Sequence, residues 1–452
     1  MQKRKIMKNI TIAGGGLVGS LLAYVLAKKG YNVNVYEQRP DMRKKSIDGG
    51  KSINLVISHR GWTALEKAGI ADEIREIIVP AYGRMIHDVD GTQNYFPYSI
   101  HGKSISSVSR GGLNMKMMDL AEPLPNVHYH FNQRCTDVDF ESATAWFQDY
   151  NSGEITEVKA DLLVGADGAY SAVRRKMTQK KERFNYTQEY IDHGYKEVHF
   201  PPAADGSPQL DLKALHIWPR GTFMLMGLAN LDNGFTGTLF FPYDGEESFS
   251  TIKNGDQAME FFQRQFPDAI PLIPNLKEQY EENKTSALMV VHCKPWTHKS
   301  KVMLLGDAAH ATVPFYGEGM NAGFEDVRVF TDILEELGDE NMQAVLDKYT
   351  AERVDNGKAL VDLSMRNFIE MRDLVADPMF ILRKKIEGKI YKKHPEKWMP
   401  LYSQVKFTNI PYIDAWNEGQ RQDIIMAPVM ALPNIAQIWD SPEVEEMILA
   451  QL

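Results

Sequence analysis

Three clusters of glycine and carboxylate in this sequence have the types and spacing to hold a large anionic cofactor. In the first, Gly14-x-Gly16-x-x-Gly19 follows the apolar run Ile10 to Ala13, and Glu37 lies 18 residues beyond Gly19. Glycines at that spacing make a tight turn, let a pyrophosphate approach the backbone and pack a helix on a strand, while the carboxylate accepts hydrogen bonds from a ribose. In the second, "DLLVGADGAYSAVRRKM" (161–177), an apolar strand ends in Gly165-Ala166-Asp167-Gly168, and Ser171 and Arg174 open a helix. Asp-Gly is also a common turn dipeptide and Ser171 an ordinary N-cap, so this cluster alone reads first as structure. In the third, "KVMLLGDAAHATVPFYGEGMNAGFED" (301–326), a strand ends at Leu305, Gly306 turns the chain, and Asp307 stands at the carboxyl end, where open α/β sheets bind ligands. Pro314 and Gly317-x-Gly319 then lead into a helix from about Met320, whose free N–H groups would stabilise an anionic ring oxygen or a phosphate. His310 has the chemistry of an acid or base, but a histidine in a polar turn reads first as a hydrogen-bonding structural residue.

These residues need strand ends to stand on. Ile10 to Ala27, behind the basic Met1-Gln-Lys-Arg-Lys run, has the outline of a secretory signal or short anchor, yet Gly14, Gly15 and Gly16 would each cost a continuous helix roughly 1 kcal/mol relative to alanine. The same residues fit a buried strand, a glycine turn, a helix from Leu17 to Lys29 closed by Gly30, and a second strand from Tyr31 to Tyr36. From about residue 185 the texture changes: "YKEVHF", "ALHIWP", "GTFMLMGLAN" and "GFTGTLFFPY" are short aromatic or β-branched runs, with a hairpin turn at Leu231-Asp232-Asn233-Gly234. Near 285 the α/β style returns, and from about 320 a helical period takes over, in 324–337 and 341–373, leaving the last 75 residues as a helical cap. The order predicts an α/β fold: a Rossmann-like domain from 1–75, 100–185 and 285–375, an inserted antiparallel β-sheet domain from 76–99 and 186–284, and a C-terminal helical region over 376–452.

At 452 residues the chain is long enough for more than one lobe with an ample core. Its net charge of -9, with no basic tract carrying interleaved aromatics, argues against nucleic-acid binding, so local groups must hold any anionic ligand. The two cysteines, Cys135 and Cys293, are far apart and lack metal-ligand spacing, which suggests buried apolar roles in a reducing cytoplasm, with no metal and no disulfide. No other stretch approaches a membrane span.

In this order and spacing, the three clusters resemble the flavoprotein aromatic hydroxylases, single-component monooxygenases that use FAD. The resemblance implies the aromatic hydroxylase fold, in which the Rossmann-like part binds FAD and the inserted sheet binds substrate. It also implies that the glycine fingerprint with Glu37 holds the ADP half, that Asp167-Gly168 serves the flavin and a passing nicotinamide, and that Gly306-Asp307 holds the ribityl chain and pyrophosphate. NADPH would dock transiently, in keeping with the lack of a second glycine fingerprint. "KSINLVISHRG" (51–61), "GRMIH" (83–87), "ALHIWPRG" (214–221), "VPFYGEGMNAGFED" (313–326), "NFIEMRD" (367–373) and "LYSQVKF" (401–407) bring the chain nearest to the branch that hydroxylates L-kynurenine. This likeness implies 3-hydroxy-L-kynurenine as the expected product, made with NADPH and O2 through a flavin C4a-hydroperoxide in tryptophan degradation. The ending "IWDSPEVEEMILAQL" is acidic and short in apolar run, so it resembles the soluble bacterial form rather than the membrane-anchored eukaryotic one. A cytoplasmic enzyme without a membrane or nucleic-acid partner is expected, its oligomeric state open and a homodimer among the options.

The resemblance also carries residues. For the substrate carboxylate and its polar end it implies Arg84, Tyr98, Asn367 and Tyr402, and for the aromatic-ring pocket Leu215, Met226, Leu228, Phe240, Pro314 and Phe315. An arginine fork suits a carboxylate, and two phenols with an amide complete such a site. Read alone, Arg84 would pass as a solvated surface charge, and Tyr402 and the pocket residues as core. For FAD the pattern carries to Gly14, Gly16, Leu17, Val18, Gly19, Glu37, Val56, Arg110, Asp167, Asp307, Met320 and Asn321. Arg110 departs from the usual context because Gly111-Gly112 loosens its helix, and Glu318 stands where glutamine is expected, placing a titratable carboxyl near the flavin. Tyr316 sits at a position that varies and takes no required role. No residue is assigned as a catalytic acid or base, since the aniline nitrogen of the substrate activates its own ring. The rivals are hydroxylation of another aromatic acid, a prenyl-chain reductase on the same fold, and a non-catalytic flavin sensor.

Overall fold

In a computed structural model of the chain, residues 8–44, 53–98, 102–180, 183–374 and 377–452 are described. The basic run at Met1 to Met7 and the Lys51-Ser52 start of "KSINLVISHRG" lie outside the described residues. The first glycine cluster folds as its spacing predicts: strand Asn9–Ala13, helix Leu17–Lys28, strand Asn32–Glu37. These strands belong to a six-stranded sheet in the order Thr297–His298, Val302–Leu304, Leu162–Gly165, Asn9–Ala13, Asn32–Glu37, Val127–Phe131. All neighbours run parallel except the Thr297–His298 edge. A parallel sheet is covered on both faces, which is why Leu162–Gly165 is buried along its whole length. The covering apolar residues come from helices Leu17–Lys28, Arg110–Ala121 and Gly319–Leu337.

A second sheet of seven strands follows the order Ser286–Lys294, Asn185–Phe200, Phe235–Pro242, Phe223–Ala229, Ala214–Arg220, Gly83–His87, Gln93–Pro97. It is antiparallel apart from the pair Gly83–His87 and Ala214–Arg220. The expected hairpin forms: Asn233 takes φ 67° and the Asn230 N–H donates to the Gly234 carbonyl at 2.9 Å. The return to α/β style comes later than about 285, because Ser286–Lys294 pairs with Asn185–Phe200 in this second sheet. An apolar run such as "ALMVVHC" suits a buried parallel strand and a sandwiched antiparallel one equally, so its partner cannot be read from its composition.

Strand alternation divides the work of the second sheet. One face packs Trp218, Leu225, Leu239 and Phe241 against helices Gly255–Gln265 and Leu276–Glu282. The other turns Leu215, Ile217, Met224, Leu228 and Phe240 toward Phe315, Val361 and Phe368. Beneath the first face, His87 bridges Asp268 (Nδ1 to Oδ2, 2.9 Å) and His216 (Nε2 to Nδ1, 2.9 Å), and His216 Nε2 meets the Asp211 carbonyl at 2.9 Å. The C-terminal region is helical, as Pro378–Lys393, Leu401–Phe407, Tyr412–Met430 and Pro442–Leu449. Asp423 ties it down, accepting from both Arg366 amines (2.7 and 2.9 Å) and from Arg383 at 2.6 Å. No described helix is long and apolar enough to cross a membrane.

The histidine chain makes stability depend on pH. Burial lowers the His216 pKa from its ordinary value to about 4. Its neutral form is therefore favoured by folding, and that stabilisation is complete above about pH 6.5 and drains away as pH falls toward 4, by roughly 3 kcal/mol in all. Thermal melts between pH 7 and 4 are expected to show a falling midpoint, with a shallower slope in His216→Asn; equal slopes in the two proteins would remove this account.

Candidate active site

Register brings the three clusters together. Ala13 pairs with Gly165, and Gly165 with Leu304, so Gly14, Ala166 and Leu305 leave three adjacent parallel strands at the same level. The crossing is tight: Gly14 N–H donates to the Tyr36 carbonyl (2.8 Å), Ala166 N–H to Ala13 (2.8 Å) and Leu305 N–H to Gly165 (3.0 Å). Gly14 takes φ +105°, and a Cβ there would run into the Ala166 carbonyl, so glycine is required twice over. A Cβ on Gly19 would meet the Gly14 carbonyl, whereas one on Gly16 would meet nothing within 4 Å. Gly19 therefore serves packing, and Gly16 opens on space.

The carboxylates of the clusters divide into engaged and free. Glu37 accepts from Gly15 N–H (2.8 Å) and from Arg39 Nε (2.7 Å) at the lip of the glycine turn. Asp167 Oδ2 caps the helix Ala172–Lys180, accepting from the Ala172 and Val173 N–H groups at 2.6 and 3.2 Å, while Ser171 Oγ accepts from Arg174 N–H at 2.9 Å. The structural reading of this turn thus holds for one oxygen only: Asp167 Oδ1 is buried with no partner, and burial holds the carboxyl above its usual range against those donors. Arg174 is buried and donates to the Ala308 carbonyl at 2.8 Å, pinning the second cluster to the third. Asp307 stands half-buried at its strand end, near enough to Gly319 that a Cβ there would lie 3.9 Å from its Oδ1. Asn321 spends its amide inside the protein, accepting from Ser58 N–H (2.9 Å) and donating to the Val56 and Gly317 carbonyls (2.8 and 2.9 Å). Arg110 is exposed at the first residue of its helix, capped by Ser109. Val18 fills the gap between Gly306 and Gly323, and Leu17 and Met320 pack beside the same core.

On the second sheet Arg84 pairs in register with Leu215 and so shares its face. The guanidinium carbon lies 5.4 Å from the Tyr98 ring centre and 4.6 Å from that of Tyr402, and those two rings stack at 5.6 Å. Arg84 Nε and Tyr98 Oη are buried without a partner, and donors of this kind suit a carboxylate. Burial pushes the Tyr98 phenol well above its usual range, so it remains a neutral O–H donor. Beside this clamp Leu215, Met226, Leu228, Phe240 and Phe315 form one apolar cluster with Phe368, and the Phe315 ring stacks on Phe368 at 4.4 Å. Asn367 donates to the Phe315 carbonyl at 2.8 Å, so its amide nitrogen steadies the turn that begins at Pro314.

An uncapped helix start beside the open face of Gly16, an unpartnered Asp167 oxygen and the Asp307 carboxylate form a cradle of the kind a dinucleotide needs. Residues 7–364 match the family described as FAD binding domain. The chain is 48% identical over 451 residues to a kynurenine 3-monooxygenase of Christiangramia forsetii, covering 100% of this chain and 99% of that one. It is 46% identical over 443 residues to that of Flavobacterium johnsoniae, covering 98% of each. The chain belongs to the kynurenine 3-monooxygenase family. Its fold also matches solved 2-methyl-3-hydroxypyridine-5-carboxylic acid oxygenase, with a TM-score of 0.66 at 20% identity, covering 87% of this chain and 98% of that one. As a member of this family it is an FAD-dependent, NAD(P)H-using monooxygenase.

Glu325, Asp326, Arg353 and Lys406 build the site from behind and went unnoticed in the sequence, while the structural reading of His310 holds and the noted Glu318 gains its partners. His310 is structural, its Nε2 2.6 Å from Asp326 Oδ2, and Asp326 also receives Gly306 N–H (3.0 Å) and Arg353 Nε (2.7 Å). Glu318 is fully buried and held by Lys406, Ser58 and Tyr412. The only signal for Glu325 and Asp326 was a charged pair at the end of an otherwise apolar helical motif, and for Lys406 a cation on a short amphipathic helix. Both cysteines are free and buried as expected, and burial pushes the Cys293 thiol up to about 12, which leaves it unreactive.

Gly14→Ala should destabilise the protein by about 2 kcal/mol or more through strain and the clash with Ala166. It should also be purified without its yellow colour. Flavin absorbance and a thermal melt test both; retention of stoichiometric FAD would contradict the geometry.

Proposed function

We propose that the protein hydroxylates L-kynurenine at the ring carbon ortho to the amine, using NADPH and O2, and releases 3-hydroxy-L-kynurenine in the cytoplasm. The observation that carries this reading is the Arg84, Tyr98 and Tyr402 clamp, with its unsatisfied buried donors, set beside the apolar cluster of Leu215, Met226, Leu228, Phe240 and Phe315. An amino acid with an anilino ketone side chain has both parts that such a site asks for. Bound FAD supplies the chemistry that NADPH reduction and O2 activation require.

The protein's own residues supply placement. Arg84 takes the substrate carboxylate, and the Tyr98 hydroxyl completes its hydrogen bonding. Leu215, Met226, Leu228 and Phe240 bind the ring on the sheet side, and Phe315, steadied by Asn367, closes it from the turn side. Apolar walls exclude water from the reacting ring, which protects the oxidant from wasteful decay. No side chain need remove a proton to activate the ring, because the amine already donates electron density into it. Glu37, Asp167 and Asp307 are assigned to FAD, with Gly16, Leu17 and Val18 offering backbone to its pyrophosphate and Val56, Arg110, Met320 and Asn321 along the rest of the cofactor.

Purified yellow protein should oxidise NADPH much faster with L-kynurenine present and give a product heavier by one oxygen by mass. Stimulation with H2O2 as the sole product would make kynurenine an effector, and no response would favour another aromatic acid or a different flavoenzyme class. Arg84→Ala should raise KM for kynurenine by roughly thirtyfold, the loss of about 2 kcal/mol of charge-assisted hydrogen bonding, with kcat much less affected. An unchanged KM would remove Arg84 from the clamp.

A further inference from the structure

The turn that opens the Gly319–Leu337 helix holds a charge pair that the hydroxylation chemistry does not use. Glu318 immediately precedes the helix and is fully buried, yet its carboxylate does not cap the helix. Oε1 accepts from Lys406 Nζ at 2.7 Å, and Oε2 accepts from the Tyr412 hydroxyl at 2.8 Å and the Ser58 hydroxyl at 3.1 Å. Lys406 is itself buried and donates a second hydrogen bond to the Gly317 carbonyl at 3.2 Å. Gly317 takes φ +65°, and a Cβ there would lie 3.4 Å from Lys406 Nζ and 3.6 Å from Val56 Cβ, so this ammonium is part of what shapes the turn.

Lys406 lies on the helix Leu401–Phe407, four residues after Tyr402, and positions four apart share one helix face. Tyr402 covers Arg84 in the clamp and stacks on Tyr316 of the same turn at 5.8 Å. One seven-residue helix therefore touches the carboxylate clamp with one side chain and the start of the Gly319–Leu337 helix with another. Stability alone is a poor reason for such a pair: taking two charges out of water costs several kcal/mol each, and neutral groups of similar shape would hold the turn as well.

Resting on the function proposed above, we propose that Glu318 and Lys406 are positioning residues: Lys406 cancels the Glu318 charge, leaving the positive end of the Gly319–Leu337 helix to face the flavin, and fastens that turn to Tyr402. Reduction adds negative charge to the flavin ring, so an unbalanced charge beside the helix start must move the flavin's potential with a sign fixed by which partner remains. Lys406→Met leaves a carboxylate that would offset the helix end and disfavour the reduced flavin. Glu318→Gln leaves an ammonium that favours it, while glutamine can still accept from Tyr412 and Ser58.

The test is the two-electron midpoint potential of the FAD-loaded protein, measured by dye equilibration for wild type, Lys406→Met, Glu318→Gln and the double variant. The midpoint should fall in Lys406→Met, rise in Glu318→Gln and return toward wild type in the double variant. Shifts of the same sign in both single variants, or none, would overturn the proposal, because a purely structural role gives no reason for opposite signs. If Lys406→Met is recovered without flavin, Glu318→Gln decides alone, and an unchanged or lowered midpoint there overturns it. In Lys406→Met the Kd for L-kynurenine, followed by the flavin spectrum, should weaken by at least threefold; an unchanged Kd would overturn the link to Tyr402. The midpoint needs only bound flavin, so it stands apart from the substrate assignment, which fails instead if wild-type protein is not stimulated by kynurenine.

Discussion

The adjacent carboxylates Glu325 and Asp326, both out of reach of solvent, are the fixed point around which the cofactor side is assembled. Arg353 bridges them, with Nη1 to Glu325 and Nε to Asp326, each at 2.7 Å, and Arg60 Nη1 reaches Glu325 at 3.1 Å. Arg60 then stacks on the Tyr412 ring at 3.9 Å and donates to the Ile410 carbonyl, so the network reaches the C-terminal helices. Burial opposes the charge on both carboxylates, but Arg353 with Arg60 at Glu325, and His310 with Arg353 at Asp326, outweigh it and hold both below the usual carboxylate range. Breaking such a pair by removing one partner typically costs about 3–5 kcal/mol, because the other charge is left buried alone. Asp326 also fixes Gly306, and with it the direction of Asp307. The cofactor turn is thus held by ionic contacts from behind, leaving its front for ligand.

The two sheets offer different things to the same site. The parallel sheet contributes backbone: strand ends, glycine turns and uncapped helix starts, none of which depends on a long side chain being in place. The seven-stranded sheet contributes side chains, sorted by alternation so that Arg84 and Ile86 share the face of Leu215 and Ile217, toward Phe315 and Phe368, while His87, His216 and Trp218 face away. Rigid backbone suits a large resident cofactor, and side chains suit a small substrate that must be told from its neighbours.

What the sequence disclosed follows the same division. The cofactor side was legible because glycine is nearly irreplaceable where Gly14 meets Ala166, and such requirements leave a spaced pattern in one local stretch. Arg84 and Tyr402 carry no local pattern, since they meet across more than 300 residues of chain, and only family likeness pointed to them. The Glu318 and Lys406 pair, 88 residues apart, was half visible, as an acid where an amide was expected. Asp167 was read as a turn and as a cofactor residue; one oxygen serves the turn and the other has no partner within the protein. The strand Ser286–Lys294 was placed too early in the α/β part because hydrogen-bond partners, unlike burial, are not written in a strand's own residues.

The two sheets are also threaded through one another. The chain leaves the parallel sheet after Glu37 to lay down Gly83–His87 and Gln93–Pro97, returns for Val127–Phe131 and Leu162–Gly165, departs again for Asn185 to Lys294, and comes back for Val302–Leu304. No single cut in the polypeptide separates a cofactor half from a substrate half. Pieces that cannot be excised cannot readily be traded between genes either, so a new substrate must come from changes on the inner face of the seven-stranded sheet, with the cofactor floor inherited whole. The lone parallel pairing of Gly83–His87 with Ala214–Arg220 is the stitch that commits Arg84 to this arrangement.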